Sequence, residues 1–463
     1  MGYEEVASAN YLLKKLNGTH SIFTGGFTGS LAHTTVVPPF LEVQGYPLST
    51  AGEKVRLAPM PPPRSPPLNQ LFYRFMANMM SYFSVGKRTA WGYKKNTRMQ
   101  VINSRIMTTF APLCGISQIV YLYINYSELT FDILGIIFSI LPATFLANVN
   151  IYSAKMKSYE RISENFLQKV HLYNIYAETK SEFIKKKLIN LERISRWSSF
   201  YLIFFFFSNS FAWIIVTAVN NYNNKELVLN HTVRLQTSLF MWMPFDYGYN
   251  YQNWFIIHLI NCYTVLNGVS SMMIFQCINY MFVFNIIGHI QILKHLLMTI
   301  SDDLSDDEVH TKLGQIVDYS NFIIGVFKDV QHAFGYNVAA NYLQNLFGNS
   351  VFMYQLMYGG KESMMLYVGM ILAYTGGPII LSFVLEEIKR QTDNLPHIAY
   401  SMPWEKMSVS NQKIVILILQ RTQILMEFKA LGCMKAGVGP MMSILKTTFS
   451  YYLMLESSIA KND

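Results

Sequence analysis

Charged residues and cysteines are both scarce in this 463-residue chain. Only 14% of the residues are charged, whereas 51% are hydrophobic and 15% are aromatic, a balance that excludes an ordinary soluble protein and predicts an integral membrane protein. The four cysteines are too few and too scattered for a disulfide framework or a zinc site. We expect Cys114, Cys262, Cys277 and Cys433 to be small core residues. The alternative is a disulfide bridge between Cys114 and Cys262.

The sequence also lacks the motifs of common enzymes. It has no Walker loop, no HExxH and no GxSxG pattern, so we expect no catalysis, no cofactor and no metal site. Nor does it have a secretory signal, because its first apolar run follows a polar leader, residues 1–67, that ends in PMPPPRSPP. We expect this Pro-rich leader to be disordered and to act as a spacer; the alternative is a recruitment motif for a proline-binding domain.

What the chain does have is a series of apolar segments near the roughly 20 residues that a helix needs to cross the hydrocarbon core. From Leu68 the text LFYRFMANMMSYF mixes aromatic residues with Arg74, which predicts an amphipathic helix against the membrane or against the first span. The later segments predict an all-α membrane protein with seven transmembrane helices, at 101–124, 130–152, 198–219, 253–286, 337–358, 364–386 and 433–455.

Lysine and arginine are distributed unevenly between the predicted loops. Ten of them lie between the second and third spans, but only Lys225 and Arg234 lie between the third and fourth, and only Lys361 between the fifth and sixth. Because cytoplasmic loops carry the excess of basic residues, we expect the first of these loops to be cytoplasmic. Five more basic residues before the first span place the N-terminus inside, so seven spans leave the C-terminus outside.

Glycosylation sequons give a separate prediction of orientation, since N-x-S/T is modified only on the lumenal side. Asn125 lies between the first two spans and Asn230 between the third and fourth, and both loops are outside in this topology. We expect both to be glycosylated, and Asn17, on the inside, to be unmodified.

Several connections have the apolar spacing of helices. The segment Ser163–Ile194 and the text HIQILKHLLMTI after the fourth span predict a cytoplasmic helical layer that extends the spans. Directly after this text, SDDLSDDEVH at Ser301–His310 lacks the ligand spacing of a calcium loop. It predicts an acidic helix N-terminus, with phosphorylation of Ser301 or Ser305 as the alternative.

Residues 395–455 carry the most specific pattern. Tyr400 is followed four residues later by Trp404, then come KIVILILQRTQ, a glycine-containing break and a last apolar segment with Ser450-Tyr451. In these features the stretch resembles the C-terminal region of insect odorant receptors. The seven spans with a cytoplasmic N-terminus extend the resemblance over the rest of the chain.

The end of the chain distinguishes between branches of that group. The related gustatory receptors end in Thr-Tyr, five apolar residues and Gln-Phe, whereas here Ser450-Tyr451 is followed by YLMLE and Ser457-Ser458. This departure favours the odorant branch. The odorant co-receptor has a gustatory-like ending and a long insertion between spans four and five, where this chain has only about fifty residues. We therefore expect a ligand-tuned subunit.

The resemblance implies an odorant-gated, non-selective cation channel in the plasma membrane of sensory neuron dendrites. Four subunits, usually tuning subunits combined with the co-receptor, surround a pore lined by the last helix, and their cytoplasmic ends form an anchor domain. The expected divisions are a leader at 1–67, a six-span ligand-binding region at 68–386, an anchor segment at 387–432, and the pore helix with a short extracellular tail at 433–463.

The residues before and within the last span fit this expectation. QKIVILILQRTQILMEF carries too much charge for lipid exposure and belongs in a protein-packed anchor. Gly437–Pro440 then predicts a break before the pore helix. Lys446 is awkward in a cation pore, and we expect it at the cytoplasmic boundary, snorkelling toward headgroups or pairing with an acidic group of the anchor.

Thr447, Ser450, Met454 and Ser457 fall along one face of an ideal helix at spacings of three and four. Hydroxyls that face a water-filled lumen replace part of an ion's hydration shell, and an apolar ring among them closes the path by dewetting. We expect these residues to line the pore, with Met454 as the gate and Glu456 concentrating cations at the outer mouth. The alternative is that the hydroxyls bond to the preceding turn and that Met454 only packs.

The ligand site implied by the resemblance is an apolar pocket for small volatile molecules in the outer halves of spans two, three, four and six. Ordinary helix packing is the alternative for each residue taken singly. His258 is a hydrogen-bonding residue among them, and Gly376-Gly377-Pro378 is expected to kink the sixth span. By depth the candidates are Leu134, Ile137, Phe138, Phe206, Ser210, Trp213, Phe255, His258, Leu259, Tyr263, Tyr367, Met370 and Tyr374.

Three other functions remain open on the sequence alone. A gustatory-type ligand-gated channel differs mainly in its C-terminal signature. A metabotropic seven-helix receptor requires the N-terminus outside and so predicts a glycan at Asn17. A secondary transporter usually shows repeated halves, which this chain lacks.

Overall fold

The computed structural model describes residues 66–83, 96–129, 131–358 and 361–459. Helices account for 82% of the structure, and the prediction of an all-α fold is confirmed. Most of the leader, the sequon at Asn17 and the basic residues between 84 and 95 lie outside the described residues, as does the side chain of Glu456.

Thirteen α-helices and one pair of short strands make up the described part of the chain. A 3₁₀-helix at Pro67–Asn69 precedes the first α-helix, a π-helical turn at Phe166–Val170 follows α4, and a second 3₁₀-helix at Trp404–Lys406 follows α11. The helices are α1 Leu71–Tyr82, α2 Arg98–Asn125, α3 Phe131–Ser153, α4 Lys157–Asn165, α5 Tyr173–Thr179, α6 Glu182–Asn223, α7 Lys225–Leu229, α8 Tyr251–Met298, α9 Asp306–Tyr358, α10 Lys361–Asp393, α11 Leu395–Tyr400, α12 Val409–Thr422 and α13 Val438–Ile459. The strands are β1 Lys429–Ala430 and β2 Met434–Lys435, and they pair antiparallel.

A helix lies at each of the seven predicted spans, namely α2, α3, α6, α8, α9, α10 and α13. Within the described residues, five helical stretches are long and apolar enough to cross a membrane, and they fall on α2, α3, α6, α8 and α10. The C-terminal half of α9 is less apolar because an amide side chain recurs every fourth residue, at Asn337, Asn341, Asn345 and Asn349.

The core is centred on α8. All residues from 271 to 290 are buried, as expected of a helix that is apolar on every side. It packs against α3, α6, α9 and α10, while α2 packs mainly on α3. The other spans keep an exposed apolar face, shown by Ile116 and Phe204, each more than half exposed, which suits contact with lipid.

The predicted layer of helical extensions is present. α6, α8 and α9 continue well past their apolar parts, and α4, the π-helical turn and α5 pack beside them. The amphipathic helix α1 buries Tyr73 and Met76 against this layer, and the Tyr73 hydroxyl lies 2.6 Å from His171 Nε2. Burial lowers the pKa of His171 to about 3, so this imidazole is neutral at physiological pH.

The acidic turn begins a helix as predicted. Ser305 caps α9: its Oγ accepts from the Glu308 amide at 3.4 Å, and Glu308 Oε2 accepts from the Ser305 amide at 3.0 Å. The Ser305 amide and hydroxyl both donate to the Glu308 carboxylate and lower its pKa. Asn411 of α12 donates to the Asp306 carboxylate at 2.8 Å, so this turn also holds the segment that the sequence assigned to the anchor.

The last helix starts later than predicted. Residues 433–437 belong to the β1–β2 hairpin and its exit, where Gly432 and Gly437 have φ angles of 76° and 156°. Both angles suit glycine, and an added Cβ at Gly437 would lie 2.6 Å from Glu386 Oε2. Pro440 sits in the first turn of α13, where its missing amide has no helical partner to lose.

The alternative of a Cys114–Cys262 bridge is wrong, because all four cysteines are free. Cys114 is buried instead against Met241, with its Sγ 3.3 Å from the thioether sulfur. Cys277 is a buried core residue as expected, Cys262 is half-buried, and Cys433 is exposed rather than part of the core.

A cavity between the helices and the exposed last helix

A cavity lies between α2, α3, α6, α8, α9 and α10, beneath the loop that joins α7 to α8. Its empty volume is about 770 Å³, with open solvent at its mouth included. The wall includes Met107, Cys114, Ile140, Ala143, Ala147, Asn148, Asn209, Ser210, Trp213, Ser238, Leu239, Thr264, Gly268, Met272, Phe352, Met370 and Tyr374.

Aromatic side chains of α9 and α10 form one side of the cavity, and an aromatic side chain of α6 packs behind them. Tyr374 of α10 stacks on Phe352 of α9 with ring centroids 5.9 Å apart, and its edge meets Phe206 of α6 at 5.8 Å. Such pairs are rigid and strongly apolar, so this side offers a shaped surface for an apolar molecule.

Small residues open space on the opposite side. Ala143 and Ala147 lie one turn apart on α3, and a Cβ added at Gly268 of α8 would lie 3.7 Å from the Ala147 methyl group. Larger side chains there would fill the volume, because close helix packing leaves no spare room.

Polar groups on the wall are few, and most are already used. The Ser210 hydroxyl donates to the Phe206 carbonyl at 2.7 Å, and the Trp213 indole donates to the Ser238 carbonyl at 3.1 Å. Asn148 donates to the carbonyls of Ala111 and Thr144. Two amides are exceptions: Asn209 makes no hydrogen bond to any residue that the structure describes, and the buried Oδ1 of Asn148 has no hydrogen-bond partner among those residues.

The sequence-predicted ligand residues fall into three groups. Four of them line the cavity: Ser210, Trp213, Met370 and Tyr374. Phe206 and Tyr367 are buried directly behind that wall, where each packs against one of its residues. The remaining seven do not line it, namely Leu134, Ile137, Phe138, Phe255, His258, Leu259 and Tyr263. Four of these seven, Phe138, Phe255, Leu259 and Tyr263, are more than one-third exposed.

Two of these residues have other contacts. His258 stacks on Trp254 with ring centroids 4.7 Å apart, and the Tyr263 hydroxyl donates to Asn103 at 2.6 Å. The first contact is within α8, and the second joins α8 to α2.

Sequence reasoning missed α2, Phe352 of α9, the loop at Ser238–Leu239 and Asn209. For Asn209 a signal existed: it is the one amide in FFFFSNSFAWII, and polar residues inside spanning helices commonly have a function. For the loop there was none, since no periodicity tells which side of a bundle a loop covers.

The last helix buries only a narrow stripe. Met441, Thr448 and Tyr452 face α9 and α10, whereas Phe449 is 50% exposed and Met454 is 54% exposed. The exposed side also carries hydroxyls at the predicted spacing, and Ser443 extends the predicted set by one turn. Thr447, Ser450 and Ser457 are exposed as well.

Each of these hydroxyls donates to a carbonyl of the preceding turn. Thr447 bonds to the Ser443 carbonyl at 2.8 Å, Ser450 to that of Lys446 at 3.0 Å, and Ser457 to that of Met454 at 2.9 Å. The hydroxyl hydrogens are therefore used within the helix, as the alternative of bonding to the preceding turn predicts. Their oxygen lone pairs still face outward, so the stripe can accept hydrogen bonds from water or contact a cation.

A cluster of charges surrounds the entry to α13. Glu427 contacts Lys389 at 3.5 Å and Lys435 at 3.0 Å, and Lys389 also contacts Glu386 at 3.6 Å. The Lys435 ammonium, followed by Lys389, holds the pKa of Glu427 below its usual value. Lys446 is exposed on α13 and makes no ion pair within the described residues.

The family model for the 7tm odorant receptors matches residues 138–449, about two-thirds of the chain. The chain belongs to the odorant receptor family. It is a multi-pass membrane receptor rather than an enzyme.

Solved structures agree with this assignment. The receptor is similar to the insect olfactory receptor OR5 from Machilis hrabei, with a TM-score of 0.66 and 15% identity over 83% of this chain and 97% of that one. The same OR5 in complex with eugenol gives a TM-score of 0.66 and 16% identity, over 83% and 98% of the two chains. At this identity the likeness shows the fold. No curated protein matches the receptor.

Proposed function

We propose that the receptor is an odorant-gated, non-selective cation channel subunit whose pore is lined by α13. The observation that carries this proposal is the exposed side of α13 in the single chain. Hydroxyls of Ser443, Thr447, Ser450 and Ser457 share one stripe with the exposed side chain of Met454. A stripe that is part hydroxyl and part thioether suits a narrow, water-filled path better than lipid tails.

Subunit assembly follows from the same exposure. Phe449, Tyr451 and Leu453 are each more than one-third exposed beside the hydroxyl stripe, so α13 has apolar surface on both sides of a polar line. Neighbouring copies of the helix would cover this apolar surface while the stripe faces the axis. We propose a tetramer, with the odorant co-receptor as partner or as a homotetramer, and with α11, α12 and the hairpin as the cytoplasmic anchor.

We propose that the cavity against Tyr374 is the ligand site. Its aromatic and small-residue walls suit a small volatile molecule, bound mainly by burial of apolar surface. Asn209 supplies a free amide for one polar group on that molecule. The eugenol named in the OR5 complex has this chemistry, an aromatic ring with a hydroxyl group, and is a reasonable first probe.

The test is a current recording from cells that express the receptor alone or with the co-receptor. A panel of small volatile alcohols, ethers and esters that includes eugenol should evoke cation currents that persist when G-protein signalling is blocked. Currents that vanish under the block would instead establish a metabotropic receptor. Silence toward every compound in both settings, with the receptor at the cell surface, would contradict the channel proposal.

A further inference from the structure

A chain of side-chain hydrogen bonds joins α10 to the start of α13 through one tyrosine of α9. The Gly437 amide lies 3.2 Å from the Tyr342 hydroxyl, which lies 2.7 Å from Ser382 Oγ. Ser382 Oγ lies 2.7 Å from the Pro378 carbonyl oxygen. Tyr342 and Ser382 are at most 2% exposed, so water does not compete for these bonds.

Counting hydrogens sets the direction of the chain. Ser382 has one hydroxyl hydrogen, and the carbonyl of Pro378 can only accept it. The Tyr342 hydroxyl must then donate to Ser382 Oγ, which leaves the tyrosine oxygen to accept from the Gly437 amide. Each group donates once toward α10, and the removal of any one hydroxyl breaks the connection.

This chain of hydrogen bonds ends at Pro378, the proline that interrupts the backbone hydrogen bonding of α10. Pro378 has no amide hydrogen, so the carbonyl of Tyr374 loses its helical partner. Asn345 of α9 donates to that carbonyl at 3.3 Å. Tyr342 and Asn345 are three residues apart and thus share a face of α9, from which they contact α10 on both sides of the proline.

This part of α10 borders the cavity and is tightly enclosed. Tyr374, whose carbonyl Asn345 holds, also lines the cavity with its ring. A Cβ added at Gly376 or Gly377 would lie about 2.0 Å from Tyr201 Oη or 1.9 Å from Gln276 Oε1. Since α6 and α8 leave no room there, a displacement of Tyr374 has to travel along α10 or into α9.

We propose that Tyr342 is a positioning residue that couples the cavity to the pore helix. A ligand that displaces Tyr374 shifts the proline turn of α10, and the chain through Ser382 and Tyr342 carries the shift to Gly437, one residue before α13. The inference rests on the proposed channel function and names how its ligand site controls its pore.

The test separates ligand binding from channel opening. Tyr342→Phe keeps the ring and removes the hydroxyl. Loss of one buried hydrogen bond should lower the saturating ligand-evoked current about 3- to 10-fold at equal surface expression. Because binding and opening are linked, eugenol affinity should fall by no more than the saturating current does. Binding is read in purified receptor by quenching of tryptophan fluorescence, because Trp213 lines the cavity.

Tyr319→Phe is the matched control. Tyr319 lies on the same helix and is 1% exposed, and its hydroxyl lies 2.8 Å from Nδ1 of the buried His289, outside the chain of bonds that ends at Gly437. Its saturating current should stay near that of the unmodified receptor. A second variant, Ser382→Ala, breaks the same chain and should add no further loss when combined with Tyr342→Phe.

The outcomes are distinct. If the unmodified receptor conducts and Tyr342→Phe and Ser382→Ala conduct equally well, the coupling role is wrong and the channel proposal stands. An equal loss in Tyr319→Phe, or a fall in eugenol affinity with the saturating current unchanged, would also overturn the coupling role. If the unmodified receptor reaches the surface and is silent toward every compound, the channel proposal itself fails.

Discussion

At the scale of single residues, Asn209 and Ser210 are neighbours on the cavity wall with opposite capacities. Ser210 has already donated its hydrogen to the Phe206 carbonyl, whereas the Asn209 amide has no hydrogen-bond partner among the described residues. A ligand that carries a hydroxyl or carbonyl group would gain a hydrogen bond from Asn209 and little from Ser210.

Replacement of Asn209 by leucine keeps the side chain's size and removes its hydrogen-bonding groups. We expect the half-maximal concentration of an aromatic alcohol to rise about 3- to 10-fold, because one hydrogen bond is lost. The methyl ether of the same alcohol cannot donate, so its half-maximal concentration should change less. Dose–response curves for the matched pair measure the difference.

Ser210→Ala is the control for this prediction, since it removes a hydroxyl that serves its own helix. It should shift the alcohol and the ether equally. An equal shift of the two ligands in Asn209→Leu would show that Asn209 shapes the cavity and makes no bond to the ligand.

Met454 gives a second prediction at this scale. If the Met454 side chains of the four subunits form an apolar ring that closes the pore by dewetting, Met454→Ser should raise the current that flows without ligand. The reason is that a hydroxyl wets the constriction. Met442→Ser is the matched control: Met442 is exposed to a similar degree on the same helix but lies off the hydroxyl stripe. Basal current measured at equal surface expression decides, and an unchanged value in Met454→Ser removes this residue from the gate.

Part of the cavity could be predicted from the sequence with its resemblance to the odorant receptors. The resemblance implies which spans hold the pocket, and depth within those spans selects Ser210, Trp213, Met370 and Tyr374. Phe255 and Leu259 were expected on the same grounds, but both are exposed and do not line the cavity. Depth follows from the sequence, whereas the rotation of a helix about its axis depends on packing with its neighbours.

At the scale of elements, helices were predictable and their ends were less so. Apolar period and length placed a helix at every expected span, and the acidic run in Ser301–His310 marked the start of α9. The start of α13 was placed five residues early, because Cys433 to Gly437 are mostly small or apolar residues that form a hairpin. That hairpin is held by pairing with β1 and by charges from α10, contacts that are distant in sequence.

Those charges give a prediction on pH. Lys435 and Lys389 lower the pKa of Glu427, so the ion pairs stabilise the fold at pH values above the usual 4.5 and lose this contribution as pH falls through the lowered pKa. Glu427→Gln should therefore reduce stability at neutral pH by about 1 kcal/mol. The deficit relative to the unmodified receptor should shrink on acidification. Thermal unfolding of purified receptor across this pH range measures it.

Glu182→Gln is the control for the ion pairs at the hairpin. Glu182 contacts Lys185 at 2.8 Å, but its side chain is 63% exposed, and exposed pairs contribute little. It should leave the unfolding temperature unchanged at every pH. A deficit in Glu427→Gln that is the same at acidic and neutral pH would mean that packing, not charge, accounts for it.

At the scale of the whole molecule, the loops that follow α2 and α7 lie together at one end of the bundle. Arg234 joins them: it donates to Asn125 Oδ1 at 3.0 Å and contacts the Glu128 carboxylate at 2.7 Å. Both sequons of the described chain are therefore at the same end, and the basic segment between α3 and α6 belongs to the opposite ends of those helices. This arrangement agrees with the charge asymmetry that predicts a cytoplasmic N-terminus.

The two sequons should not be modified equally. Asn230 is exposed at the end of α7, whereas Asn125 is half-buried in the last turn of α2 and donates its amide to the Tyr121 carbonyl at 2.9 Å. A glycan replaces one hydrogen of that amide, so modification at Asn125 competes with the hydrogen bond to the Tyr121 carbonyl. We expect Asn230→Gln to abolish most of the mobility shift that glycosidase treatment removes, and Asn125→Gln to have little effect. A shift that disappears only in Asn17→Gln would show that the receptor has the opposite orientation in the membrane. The C-terminal end of α13 would then not lie at the outer mouth of a pore.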